Sequence, residues 1–216
     1  MVIGVLIPDR RDRKDFLNHC LLMVGNQTRY PDFIELVNYE PLSASVDLTQ
    51  RVRRGFEILK AKGCDCVLIV ENDDYYSKDY IKTFSENWEN SGRPDIFGTD
   101  QTIYYHLGQR KYNVLKHSGR ASLMNTLISC EAVFNFPADD LVYLDIYLWQ
   151  NLKGKTFKPY NFLSLGIKHG VGLCGGNGHN SMNYKNDDKD LTFLKCIERE
   201  SFNFYSEIAV KMQTKR

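Results

Sequence analysis

Short apolar runs alternate with polar, turn-forming stretches along the first part of the chain. Val2 to Ile7 is such a run, stopped by Pro8, and reads as a strand. A charged stretch from Asp9 to Lys14 follows it. Phe16, Leu17, Cys20, Leu21 and Val24 then recur at helical spacing, and Gly25-Asn26 closes the helix. Asp32 to Tyr39 reads as a second strand, ended by Pro41. Val52, Phe56 and Leu59 mark a second helix, capped by Ser45 or Asp47 and closed by Gly63. Cys66 to Val70 has no polar interruption, the pattern of a strand buried on both faces. The order β-α-β-α-β predicts half of a doubly wound parallel sheet.

The later elements are less regular. A helix is expected from Lys78 to Asn90 with Ser77 as its cap, then a strand at Asp95 to Gly98. Thr102 to Tyr105 and Tyr112 to Leu115 read as two strands joined through Gly108-Gln109. Ser122 to Ser129 fits strand or helix. A helix is expected from Leu141 to Leu152, a strand from Asn161 to Ile167, and a final amphipathic helix from Leu191 to Met212.

Composition narrows the class. The chain has 216 residues, 43% hydrophobic and 25% charged, which suits one α/β domain. A net charge of +1 excludes a globally polyanion-binding surface. There is no apolar run long enough to cross a membrane. The start carries no basic leader or cleavage site, and the six cysteines form no CxxC pair. The expectation is reduced thiols and a cytoplasmic protein.

Candidate chemistry gathers at the end of the third strand. Glu71, Asp73 and Asp74 follow it directly, where open α/β sheets place their ligand sites. Carboxylates so close repel unless a positive group lies between them, and a hard divalent cation, Mg²⁺ or Mn²⁺, prefers such oxygen ligands. The alternative is an acidic, solvated loop. Lys168 to His179 holds five glycines between positions 170 and 178 and is bounded by His169 and His179. Gly170, Gly172 and Gly175 match a dinucleotide fingerprint in letters only, because the pattern follows no first strand and opens no helix. It reads better as a loop whose backbone N–H groups, with Gly175, Gly176 and Lys168, meet an anion. One of the two histidines is expected to complete the sphere of an ion on Asp73, with His179 favoured.

Asp139, Asp140 and Asp145 form a second acidic group. Asp139 or Asp140 can cap a helix. Asp145 lies among Leu144, Ile146, Leu148 and Trp149, where a carboxylate needs a partner or a function. Asp140 and Asp145 are therefore candidate general bases. Of the cations after the first strand and on the second helix, Arg10 and Arg54 are kept as phosphate partners. Most of the others (Arg11, Arg13, Lys14, Arg51 and Arg53) are expected to be solvated.

These residues carry a family resemblance. The first strand ending Ile7-Pro8, the helix with Asn18, Cys20 and Leu21, and Gln27-Thr28 resemble the start of family-2-type GT-A glycosyltransferases. Glu71-Asn72-Asp73-Asp74-Tyr75-Tyr76, followed by Asp79-Tyr80-Ile81, resembles their acidic D-x-D metal motif. Residues 1 to about 90 carry most of the likeness. The late Gly-Ile-Lys-His-Gly stretch with its following Gly-His is similar to some phage and bacterial members. Two departures stand out: Glu71 replaces the usual first aspartate, and Pro8-Asp9-Arg10 replaces Pro-Thr-Tyr.

The resemblance implies a GT-A-type α/β fold, with a Rossmann-like, mostly parallel sheet flanked by helices and a smaller acceptor-side region. Residues 1–100 would form the nucleotide-sugar half, 101–190 the acceptor half and glycine loop, and 191–216 a C-terminal helix. It implies a nucleotide-diphosphate sugar donor, a UDP-sugar first, with Mn²⁺ or Mg²⁺ on Asp73. Pro8, Arg10, Arg54, Glu71, Asn72, Asp74, Lys168, Gly175 and Gly176 would contact the donor. Asp145 or Asp140 would activate the hydroxyl of a saccharide, lipid, protein or modified-DNA acceptor in a bacterial or phage-infected cytoplasm. Other classes that fit the residues are a nucleotidyltransferase and a non-catalytic nucleotide-sugar-binding module.

Overall fold

The computed structural model describes residues 1–40, 47–160, 162–170 and 183–214. Its first part follows the sequence pattern closely: β1 (Ile3–Pro8), α1 (Lys14–Gly25), β2 (Phe33–Val37), α2 (Leu48–Ala61) and β3 (Cys66–Ile69). β1 pairs in parallel with β2 on one side and β3 on the other. The chain continues through β4 (Tyr75–Tyr76), α3 (Tyr80–Asn90), β5 (Ile96–Thr99), β6 (Gln101–His106), β7 (Lys111–Lys116) and β8 (Thr126–Ser129). It ends with α4 (Leu144–Asn151), β9 (Gly154–Phe157), β10 (Ser164–Lys168), β11 (Asn186–Asp187) and α5 (Arg199–Gln213).

The main sheet has six strands in the order β2-β1-β3-β8-β5-β9. Only β8 runs against its neighbours, so the sheet is mostly parallel. Alternation along β1 and β3 divides the core. Ile3, Val5, Ile7, Cys66 and Leu68 pack with residues of α1, α3 and α5 on one face. Leu6, Val67 and Ile69 pack with residues of α2 and α4 on the other. This is the three-layer α/β arrangement that a strand apolar at every position requires.

A second sheet, in the order β11-β7-β6-β10-β4, leans over the carboxyl end of β3. Its link to the main body is β4, where Tyr75 and Tyr76 pair antiparallel with Leu165 and Ser164 of β10. This two-residue strand is too short to show in a hydrophobic pattern. It also explains why α3 begins at Tyr80 rather than after a Ser77 cap: the Ser77 N–H donates to Leu163 O at 3.0 Å.

Three other expectations are corrected. Ser122 to Ser129 is neither all strand nor all helix: a short turn of 3₁₀ helix at Leu123–Asn125 leads into β8. The expected helix from Leu191 divides at Glu198. Asp188 accepts the Phe193 and Leu194 N–H groups at 2.8 and 3.1 Å, holding a separate turn. Glu198 is extended, its carboxylate accepting from the Tyr75 hydroxyl and from the Lys78 N–H. The third is Arg51, which is not solvated but 1% exposed. It bonds Asp47 and donates to the carbonyls of Asp9 and Val37 at 2.7 and 3.0 Å, tying together the ends of β1 and β2. All five described cysteines are free thiols, and no described helix is long and apolar enough to cross a membrane.

Close packing of α2 on the sheet depends on Gly55. A Cβ there would lie 2.6 Å from the buried Leu6 side chain and 2.9 Å from Val37. Gly55→Ala gains helix propensity of about 1 kcal/mol, but overpacking costs roughly 1–3 kcal/mol. The expected result in urea unfolding is a net loss of stability. A variant more stable than the parent would contradict this contact.

Candidate active site

The acidic turn occupies the space between β3 and β4. Strand β3 ends at Ile69, and the Glu71 N–H donates to the Tyr76 hydroxyl at 2.8 Å, folding the turn back on the strand that follows it. Glu71, Asp73 and Asp74 each place a carboxylate oxygen within 4.8 Å of the others. Asn72 points to β1, its Nδ2 donating to Asp9 Oδ1 at 2.6 Å. The turn therefore lies across the carboxyl ends of β1 and β3, with Pro8 buried at the close of β1.

Each acid has a different environment. Asp74 is 1% exposed, and its Oδ1 accepts the Ile167 N–H at 2.7 Å, which docks β10 against the turn. Its Oδ2 is buried with no hydrogen-bond partner among the described residues. Burial pushes the Asp74 carboxyl up, with Lys168 opposing and Asp73 and Glu71 adding to the rise. Asp73 takes the opposite course. Burial alone would raise it, but the Arg13 guanidinium and His169 hold it well below the usual carboxylate range. Glu71 has no ion-pair partner among the described residues, and burial, then Asp73, pushes it up to about 7.

Three basic groups enter from separate elements. Arg13, just before α1, pairs through Nη1 with Asp73 Oδ2. His169, one residue past β10, donates from Nε2 to the same oxygen at 2.9 Å. His169 Nδ1 is buried and has no hydrogen-bond partner among the described residues. Lys168 ends β10, 7% exposed, with its ammonium 5.0 Å from the Tyr104 ring centre. Burial opposes its charge, yet Asp74, Asp73, Tyr104 and Glu71 outweigh that and raise its pKa. The acidic turn is thus not a solvated loop: Asp73, Asp74, Lys168 and His169 are buried, and Glu71 and Arg13 are half-buried.

The remaining candidates are dispersed. Arg10 pairs with Asp47 at 3.1 Å, and Arg54 lies over the Tyr39 ring at 4.9 Å. Asp140 is exposed in the turn before α4, while its neighbour Asp139 pairs with Arg53. Asp145, in the first turn of α4, is 20% exposed and bonded to Arg120 at 2.8 Å. It is close enough to Glu71 to add to the rise in that carboxyl's pKa. Gly175, Gly176 and His179 lie outside the described residues. Arg13, one of a run of charges expected to be mostly solvated, is instead 16% exposed and paired with Asp73. Nothing in a run of charges distinguishes one such arginine from its neighbours.

No protein-family profile and no curated protein matches the chain. Among solved structures, residues 1–349 of S. aureus TarS superpose with a TM-score of 0.48 at 11% identity, covering 78% of this chain and 61% of that one. The same protein with UDP-GlcNAc gives 0.46 at 14% identity over 100% of this chain and 73% of that one. With UDP the values are 0.43 and 14%, over 77% and 60%. The chain thus spans about three-fifths of the first of these structures.

Glu71 gives the site a measurable signature. Its folded pKa of about 7 lies above its ordinary value of 4.5, so the charged form is disfavoured by folding. The stability it contributes is full below 4.5 and is lost as pH rises through about 7. In EDTA, Glu71→Gln should melt higher than the parent at pH 8, and the difference should shrink as pH falls toward 4.5. Parallel melting curves across that range would contradict the burial of this carboxylate.

Proposed function

We propose that the chain is a glycosyltransferase that moves a sugar from a nucleotide-diphosphate sugar to an acceptor hydroxyl with inversion at the sugar carbon. One observation carries the reading: three carboxylates share one turn at the carboxyl end of β3, facing Arg13 and Lys168, with the carboxylate of Asp145 nearby. Opposed charges at this sheet edge suit a ligand with its own phosphates. The resemblance of the acidic turn to the D-x-D motif supports the choice of a sugar nucleotide. A nucleotidyltransferase is less favoured, because the turn after β1 has no glycine to cradle a triphosphate.

The residues fit a divalent cation. Their donors are hard oxygens within 4.8 Å of one another, and Asp74 keeps a buried oxygen without a partner among the described residues. Asp73 would hold Mn²⁺ or Mg²⁺, with Glu71 and Asp74 beside it. Such an ion, when bound, supplies charge neutralisation to the leaving diphosphate. Lys168, fixed at the end of β10, adds a positive charge on the same side. Asp145 accepts the proton of the acceptor hydroxyl as its oxygen bonds to the sugar carbon. The bond from that carbon to the diphosphate oxygen breaks, and its electron pair leaves with the diphosphate. Arg120 holds Asp145 in place meanwhile. Asp145 is preferred to Asp140 because Asp140 is exposed and Asp145 is the one that influences Glu71.

For the acceptor, a saccharide, lipid or protein is favoured over modified DNA, since Arg10 and Arg54 are engaged with Asp47 and Tyr39.

Two variants separate binding from chemistry. Asp73→Ala should abolish calorimetric binding of UDP with Mn²⁺ while circular dichroism stays unchanged. Asp145→Asn should keep that binding and lower sugar transfer by roughly a hundredfold to ten-thousandfold, the usual size of a lost general base. Unchanged UDP–Mn²⁺ binding in Asp73→Ala would sink the metal assignment, and unchanged turnover in Asp145→Asn would remove that residue as the base.

A further inference from the structure

We propose that Arg13 and a divalent cation compete for the carboxylate of Asp73, so that Arg13 is a built-in counter-ion displaced when the site loads. The inference rests on the metal-holding reading above. Its ground is the distribution of contacts on one oxygen. Arg13 Nη1 and His169 Nε2 both bond Asp73 Oδ2, and the Asp73 side chain is only 8% exposed. Without a metal, a buried carboxylate beside two others needs such a partner. A divalent ion on Asp73 would put two like charges within contact distance in a poorly hydrated site, where Coulomb repulsion is strong. The buried Asp74 Oδ2, without a partner among the described residues, lies in the same turn.

Arg13 has somewhere to go. It precedes α1, and its Nε already bonds the exposed Asp12 at 3.2 Å. Its planar fork also matches a phosphate, so a bound diphosphate offers the displaced guanidinium a new partner on the same rim. The consequence is thermodynamic coupling. The cation alone binds weakly because it must displace Arg13, and a nucleoside diphosphate tightens it by receiving the arginine.

The test is Mn²⁺ titration by electron paramagnetic resonance, with and without UDP, on the parent, Arg13→Gln and Arg13→Lys. Removing a charge-assisted contact to the ligand carboxylate should tighten Mn²⁺ alone by about tenfold in Arg13→Gln. The lysine variant should fall between, and the gain from adding UDP should be smaller in Arg13→Gln than in the parent. On the parent itself, Mg²⁺ should shift the Arg13 side-chain NMR signals and speed their exchange with water, a readout independent of whether the variants fold. Mn²⁺ binding that is unchanged or weaker in Arg13→Gln, or Arg13 signals indifferent to Mg²⁺, would overturn the competition and leave the metal site standing. Absence of Mn²⁺ binding in every protein, with and without UDP, would overturn both.

Discussion

Three carboxylates crowded at the end of one buried strand are the constraint around which the molecule is arranged. Glu71, Asp73 and Asp74 lie within 4.8 Å of one another, largely out of water. Such a cluster persists only if neighbouring elements bring positive charge or hydrogen-bond donors to it. The β1–α1 turn brings Arg13, and β10 brings Lys168, His169 and the N–H of Ile167. The second sheet meets the acidic turn at Asp74 and β4, through the Ile167 N–H and the pairing of β4 with β10.

Each acid consequently has its own protonation behaviour. Asp73 is held ionised by its two partners, whereas Asp74 and Glu71 are pushed toward the neutral form by burial and by the charge on Asp73. A set of identical groups driven apart in this way is what functional sites tend to show. The arrangement also makes the site responsive: any added positive charge stabilises Glu71 and Asp74 in their charged forms and weakens the hold of Arg13 on Asp73.

The sequence exposed the parts of this that follow a period. The uninterrupted run at Val67 to Val70, the two helices before it and the acids after it locate the sheet and its carboxyl edge. What escaped was set by long-range contact. β4 is two residues long and is a strand only because β10 lies beside it. Arg13 and Arg51 look like their solvated neighbours until Asp73, Asp9 and Val37 are brought to them. Lys168 reads as the edge of a glycine loop and is instead the buried end of a strand. Asp145, suspect for its apolar neighbours, has its partner in Arg120, 25 residues earlier in the chain.

The most direct measurement is a crystal structure grown with Mn²⁺ and UDP, with manganese located by its anomalous scattering. The expected result is a manganese peak on the Asp73 carboxylate beside the bound UDP, at the carboxyl ends of β1 and β3. UDP bound elsewhere, or at that edge with no manganese and Asp73 still paired to Arg13, would contradict it.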